Sequence, residues 1–421
     1  MKYTSATEAV KEIKSGDRVY VHAAAATPTI LVTELSKRAH ELRDVEFCHI
    51  YTTGAAEYAN PAYRDSFFVN SFFLGANVRH TIKEGNGSYL PISFSEMAKV
   101  IKTELTIDVV LIQISEPDAH GFCSLGTSVE NIKAAIETSR VVIAQVNKHM
   151  PRTFGDGIIH ISKITHLVEH HQLLDVLDNG NITTEEARIG SYIAELIEDK
   201  SCLQLGIGSI PNAVLNNLKN HKGLGIHTEL FSDGIVPLVK SGVITGEYKK
   251  LLKGKIVSTL VHGSQLLYDF IDDNPAIEMR DASFTNDPIK ISQNNRMVSI
   301  NSAIEVDVTG QVSADSIGTK IFSGVGGQVD FIYGSSLSKG GKSIIALTST
   351  TVKGANKIVP FLKHGAGVVT TRAHVNYVVT EYGVANLFGK NIKQRVKAMV
   401  EIAHPNFREQ IEREYYEALS N

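Results

Sequence analysis

Cysteine is scarce: the 421 residues hold three, Cys48, Cys123 and Cys202, scattered along the chain with no CxxC pair. A small, odd, dispersed set excludes a disulfide framework and a cysteine metal site, and points to buried thiols in a reducing compartment. Long apolar runs are missing too. No stretch of 18 or more apolar residues occurs, and Met1-Lys2-Tyr3-Thr4-Ser5 lacks the basic and apolar regions of a secretory leader. A soluble cytoplasmic protein with no membrane partner is expected. Neither sign of charge dominates, since the net charge is −3 with acids and bases mixed, so no nucleic-acid partner is indicated. An anionic small molecule remains open, because a site needs only a few local donors. The sixteen histidines form no HExxH motif and no HxH beside a carboxylate, so no metal centre is expected.

What the chain does have is glycine and apolar bulk, with 33 glycines and 43% hydrophobic residues, enough to bury a large core in two domains. Within the apolar run Gly225-Ile226-His227-Thr228-Glu229-Leu230-Phe231 sits one acid, Glu229. A carboxylate where a buried strand should end loses solvation, so it either reaches solvent or has chemistry or a partner to hold it.

The two halves echo one another. Ser5-Ala6-Thr7-Glu8 has capping-box spacing, a strand follows at Arg18-Val19-Tyr20-Val21, and Thr27-Pro28 opens a helix with Leu31, Leu35 and Ala39 inward. In the second half Thr183-Thr184-Glu185-Glu186 caps a helix bearing Ile189, Ile193, Leu196 and Ile197, and Ser201–Leu205 reads as a strand. The loop Gly206-Ile207-Gly208-Ser209 then leads into a helix with Ser209 as cap and Pro211 in its first turn. The polar stretch Asp178-Asn179-Gly180-Asn181 is the linker candidate, which puts one domain at 1–182 and the other at 183–421. Further nearly continuous apolar strands are expected at 108–114, 141–146, 256–261, 343–348, 367–371 and 377–380. The fold class is α/β, with two doubly wound domains of related topology and sites at the carboxyl ends of strands. Residues 297–301 and 304–312 alternate like an antiparallel hairpin, and a polar helix beyond Pro405 turns Phe407, Ile411 and Tyr415 inward.

Gly206-Ile207-Gly208 after a strand suggests a dinucleotide loop, yet the third glycine is missing and Pro211 stands in its region. The loop serves better as a backbone donor: the amide near Ile207 would face whatever Glu229 attacks, and Gly327 of Gly324-Val325-Gly326-Gly327-Gln328 would supply a second donor. Each such amide contributes on the order of 3 kcal/mol to stabilising a developing oxyanion.

Ser115-Glu116-Pro117-Asp118-Ala119-His120-Gly121-Phe122, the Glu229 segment, Asn301, the glycine turn with Asp330-Phe331, and Glu381-Tyr382-Gly383-Val384-Ala385-Asn386-Leu387 follow one another in order. This set resembles the acetyl-CoA hydrolase/transferase family of CoA-transferases, and most of all its 4-hydroxybutyrate and butyrate:acetate branch. The resemblance implies a CoA-transferase-like fold and a nucleophilic glutamate at Glu229. It also implies oxyanion amides at Ile207 and Gly327, an active-site asparagine at Asn301 and a second glutamate at Glu381. Gly206, Gly208, Gly324, Gly326 and Gln328 would border the coenzyme A. Phe388 stands where many relatives carry a cation, and Lys390 is the substitute.

The partners implied are a short-chain acyl-CoA (acetyl-, butyryl- or 4-hydroxybutyryl-CoA) and a free carboxylate such as acetate. No tightly bound cofactor is expected, coenzyme A being substrate and product, and the chain is expected to form a homodimer. An acyl-CoA hydrolase would release thiol without an acceptor acid. A nicotinamide-dependent oxidoreductase would bind its cofactor at residues 206–209, and a non-catalytic acyl-CoA-binding protein would show affinity without turnover.

Overall fold

Val109–Ile114 (β5) and Val141–Val146 (β6) are buried at every position, as parallel strands covered on both faces must be. They belong to a seven-stranded parallel sheet with Arg18–Val21 (β1), Val45–His49 (β2), Phe67–Ser71 (β3), Gly87–Tyr89 (β4) and His166–Glu169 (β7), in the order β7-β6-β5-β1-β2-β3-β4. Gly87–Tyr89 is its edge strand. The computed structural model describes residues 2–177 and 180–420; Asp178 and Asn179 of the linker candidate lie outside the described residues.

Contacts divide the chain into two units, 1–178 with 257–285 and 179–256 with 286–421. A division at 182/183 in chain order leaves 257–285 in the second half; in the structure those residues pack with the first unit. Ile277–Met279, for example, pairs in parallel with Phe154–Gly155. Among the described residues no helix is long and apolar enough to cross a membrane.

The second unit is built on Cys202–Leu205 (β8), Gly225–Ile226 (β9), Met297–Ser302 (β10), Lys342–Ala346 (β11), Tyr377–Thr380 (β12) and Gly383–Asn386 (β13), ordered β9-β8-β10-β11-β12-β13. All neighbours run parallel except β13, which folds back on β12. The order reverses between β8 and β10, and a crevice at the carboxyl ends of such strands is where doubly wound sheets hold ligands. Helix α1, Thr184–Leu196, begins at Thr183 with both halves of the capping box made. It lies against α2, Ser209–Asn216, where a Cβ on Gly190 would stand 2.6 Å from the Ala213 carbonyl carbon; only glycine permits that approach. Helix α3 is Gln328–Leu337, and α4, Arg408–Ser420, buries Ile411 and Tyr415 against Val378 and Met399 as its stripe predicts.

Three local expectations change. Residues 297–301 are not half of a hairpin but the central strand β10; the antiparallel pair is Glu305–Asp307 with Val312–Ser313. The stretch 367–371 forms only an isolated bridge, Thr370 to Val312. Ser209 is the first residue of α2 rather than its cap, and its hydroxyl turns to Glu186.

Candidate active site

Glu229 lies just beyond β9, the edge strand. The register pairs Cys202 with Gly225 and Leu203 with Ile226, and carrying it on sets Gly206 opposite Glu229. The Thr228 hydroxyl donates 2.9 Å to the Leu205 carbonyl and keeps the two chain segments together past the ladder. Below the acid, the buried Lys249 ammonium donates to the Ile226 and Lys255 carbonyls at 2.7 Å each, fixing the strand from which Glu229 projects.

The Glu229 carboxylate is packed closely although the residue as a whole is partly accessible. Asn286 Nδ2 donates to Glu229 Oε2 at 2.7 Å, and the Gly327 backbone N–H donates to the same carboxylate. Gly327 is the cap of α3, so the positive end of that helix faces the acid. A Cβ at position 327 would sit 1.9 Å from Oε2, and glycine is the one residue that lets this backbone come so near. Burial pushes the Glu229 carboxyl up to about 7; the bond from Asn286 opposes this, the charge of Asp330 adds to it, and the Gly327 amide opposes it. The donors present therefore do not outweigh the loss of water. A carboxyl so poised exchanges its proton near neutral pH and is a nucleophile when ionised.

Asn301 is the last residue but one of β10 and pairs with a neighbouring strand. Its Nδ2 donates 3.1 Å to Gln204 Oε1, and Gln204 Nε2 returns a 3.4 Å bond to Asn301 Oδ1, closing an amide pair at the reversal of strand order. The asparagine on Glu229 is Asn286, which the sequence reading missed. Its setting, Asn286-Asp287-Pro288, carries only a helix-start signal, and Asp287 and Pro288 fulfil it. Ile207 and Gly208 follow β8 at the same end of the sheet, with Gly208 at φ +112°. Gly324 and Gly326 lead into Gly327, and Gln328 Nε2 donates 3.2 Å to Thr370 Oγ1.

Glu381, in the turn from β12 to β13, is buried and accepts from Ser349 twice, from the N–H at 2.8 Å and the hydroxyl at 2.6 Å. It belongs to the same row of strand ends, but four strand spacings from β9 set it roughly 19 Å along that row from Glu229. A cavity of about 330 Å³ opens beside it, lined also by Thr348, Thr350, Glu186, Tyr382 and His404. Lys390 is not brought to this end. Strand β13 runs against its neighbours, Asn386 pairing with Tyr377, so the chain beyond it emerges at the amino ends of the parallel strands.

A carboxylate beyond a strand end, a helix amino terminus aimed at it and glycine turns on either side make a site for covalent attack on a carbonyl. The acetyl-CoA hydrolase/transferase N-terminal domain matches residues 1–177 and its C-terminal domain residues 263–415.

The chain belongs to the acetyl-CoA hydrolase/transferase family.

Within that family, a succinyl-CoA:acetate/propanoyl-CoA:succinate CoA transferase of Fasciola hepatica is 48% identical over 97% of this chain and 86% of its own length. The 4-hydroxybutyrate coenzyme A transferase of Clostridium kluyveri is 47% identical over 98% of this chain and 97% of its own. The crystal structure of 4-hydroxybutyrate CoA-transferase from Porphyromonas gingivalis superposes with a TM-score of 0.85 at 38% identity, covering 99% of this chain and 98% of that one. The family resemblance and the α/β fold expected from the sequence are thus borne out.

Proposed function

We infer that the chain is a CoA-transferase that moves coenzyme A between a short-chain acyl-CoA and a free carboxylate, with Glu229 as the covalent nucleophile. The observation that carries the reading is the Glu229 carboxylate seated against the Gly327 amide at the head of α3. An ionised Glu229 oxygen attacks the thioester carbonyl; the new C–O bond forms, the C–S bond breaks, and the thiolate leaves with its electron pair. The amides of Ile207 and Gly327 stabilise the oxyanion between these events. The thiolate then attacks the glutamyl carbonyl of the mixed anhydride, releasing the first acid and leaving a glutamyl-CoA thioester. An incoming carboxylate reverses both steps and departs as the new acyl-CoA. One thioester is exchanged for another, so no external energy source is needed, and binding of the distant coenzyme body helps to position the reacting atoms.

Relatives with 4-hydroxybutyrate, succinate and acetate in their names support a short-chain acid as acceptor. A cytoplasmic homodimer is part of the same proposal, and sedimentation of the purified chain tests the dimer. For the chemistry, the protein is incubated with acetyl-CoA or butyryl-CoA, and its intact mass and Glu229 peptide are read with and without borohydride. A coenzyme-sized adduct on that peptide, discharged by acetate, is the expected result. Thiol release with no adduct and no need of an acceptor would favour the hydrolase.

A further inference from the structure

Asp330 is a buried carboxylate for which the covalent scheme has no use. It lies in the first turn of α3, 3% exposed, where an aspartate gains from the helix dipole whatever else it does. Its neighbours say more. Asn286 Nδ2 stands 2.7 Å from Glu229 Oε2 and 3.5 Å from Asp330 Oδ2, so one amide group lies between two carboxylates. An amide nitrogen carries two hydrogens and an amide oxygen carries none. With the amide flipped, Asn286 would set its oxygen against both acids, and with only Glu229 present that error would be opposed from one side alone.

Phe331, the next residue, packs edge-on against the His227 ring with centroids 6.2 Å apart. The first turn of α3 is thereby tied to the segment that carries Glu229. Other charges nearby are otherwise engaged: Asp287 and Lys290, which follow Asn286, pair with each other at 2.9 Å. The charge of Asp330 acts on Glu229.

We propose that Asp330 is a positioning residue, which locks Asn286 with its amide hydrogens toward Glu229. The proposal rests on Glu229 being the nucleophile. Its consequence is that Oε2, the oxygen nearest to a Cβ built on Gly327, is held in place by Asn286.

Asp330→Asn and Asp330→Ser, with wild type and Glu229→Ala beside them, test it. The rate of adduct formation from acetyl-CoA is followed by rapid quenching and intact mass across the pH range, and thermal unfolding is recorded for each protein. In both variants the rising limb of the pH profile should move down by about one pH unit, because a negative charge beside the nucleophile is gone. The plateau rate should fall about tenfold with the half-saturating acyl-CoA concentration unchanged, as for a group acting after binding. The Asn286→Ala, Asp330→Asn double variant should be no slower than Asn286→Ala alone, whereas independent residues would multiply their losses. Folded variants that keep the wild-type midpoint and rate overturn the proposal, as does a loss of thermal stability with the midpoint unmoved, which marks a purely structural aspartate. Should neither variant at 330 fold, an Asn286→Ala protein with wild-type rate and midpoint overturns it equally. Wild type that turns over acyl-CoA with no adduct on Glu229 removes the nucleophile itself, and the proposal with it.

Discussion

Gly327→Ala is the sharpest test of the site, because the structure fixes what one methyl group would do. The added Cβ would lie 1.9 Å from Glu229 Oε2 and 2.2 Å from Asn286 Nδ2, whereas ordinary contact begins near 3.4 Å, so the carboxylate must retreat by about 1.5 Å. The backbone does not object: Gly327 has φ −93° and ψ 8°, which alanine adopts. Both clashing atoms end flexible side chains, so the fold should hold while the reacting geometry is lost. A misplacement of about 1 Å costs roughly a hundredfold in rate, and this larger one should cost about 10²- to 10³-fold in kcat, or about 3–4 kcal/mol. Steady-state kinetics, adduct formation by intact mass and a melting curve measure the three quantities together. Gly326→Ala makes the contrast, since it forces a side chain onto φ +56° and its penalty of about 1–2 kcal/mol should fall on thermal stability. A folded Gly327→Ala enzyme with kcat within about fivefold of wild type would refute the placement of Glu229 against the α3 terminus.

Three further outcomes are expected. Folding raises the Glu229 proton affinity from 4.5 to about 7, so its ionisation opposes the fold: the penalty is absent below the lower value, grows between the two and is complete above the upper. Glu229→Gln should therefore be more stable than wild type by on the order of 2 kcal/mol at mildly alkaline pH and not at acid pH, as denaturant titrations at both will report. Asn286→Ala should lower the rate of adduct formation about a hundredfold, while Asn301→Ala, which breaks only the pair with Gln204, should cost distinctly less; stopped reactions read by mass compare them. Lys249→Met leaves the Ile226 and Lys255 carbonyls without their donor and should cost about 2–4 kcal/mol in urea unfolding, with Glu229 chemistry weakened in the survivors.

Much of the scaffold was legible because local signals and tertiary packing agree in it. The Thr183 capping box, the uninterrupted apolar strands β5 and β6 and the stripe of α4 each state in sequence what the structure does with them. Misreadings arose where buried polar residues mimicked a solvent face. Ser299 in β10 is fully buried and shares a 2.8 Å hydrogen bond with Ser335 of α3, so the alternation that suggested a hairpin is satisfied inside the protein. Gly206, Glu229 and Gly327 were visible as a strand-end acid between glycine turns. Asn286 was not, because its contact spans 57 residues and nothing in its own neighbourhood requires it. Likewise, Lys390 looked close to the site only until the reversal of β13 carried it to the opposite end of the sheet.

The chain passes between its two units three times, at 178/179, 256/257 and 285/286, and no single cut separates them. On the ribosome this sets an order of events. The seven strands of the first sheet have all been made once residue 169 is added, yet Phe154–Gly155 must wait for Ile277–Met279, more than a hundred residues later. By then the start of the second unit, β8 and β9 with the Glu229 segment among it, has already emerged without β10, the other neighbour of β8. For several seconds at ordinary synthesis rates the apolar edge of β8 is exposed, and that interval is where the nascent chain has most need of a chaperone.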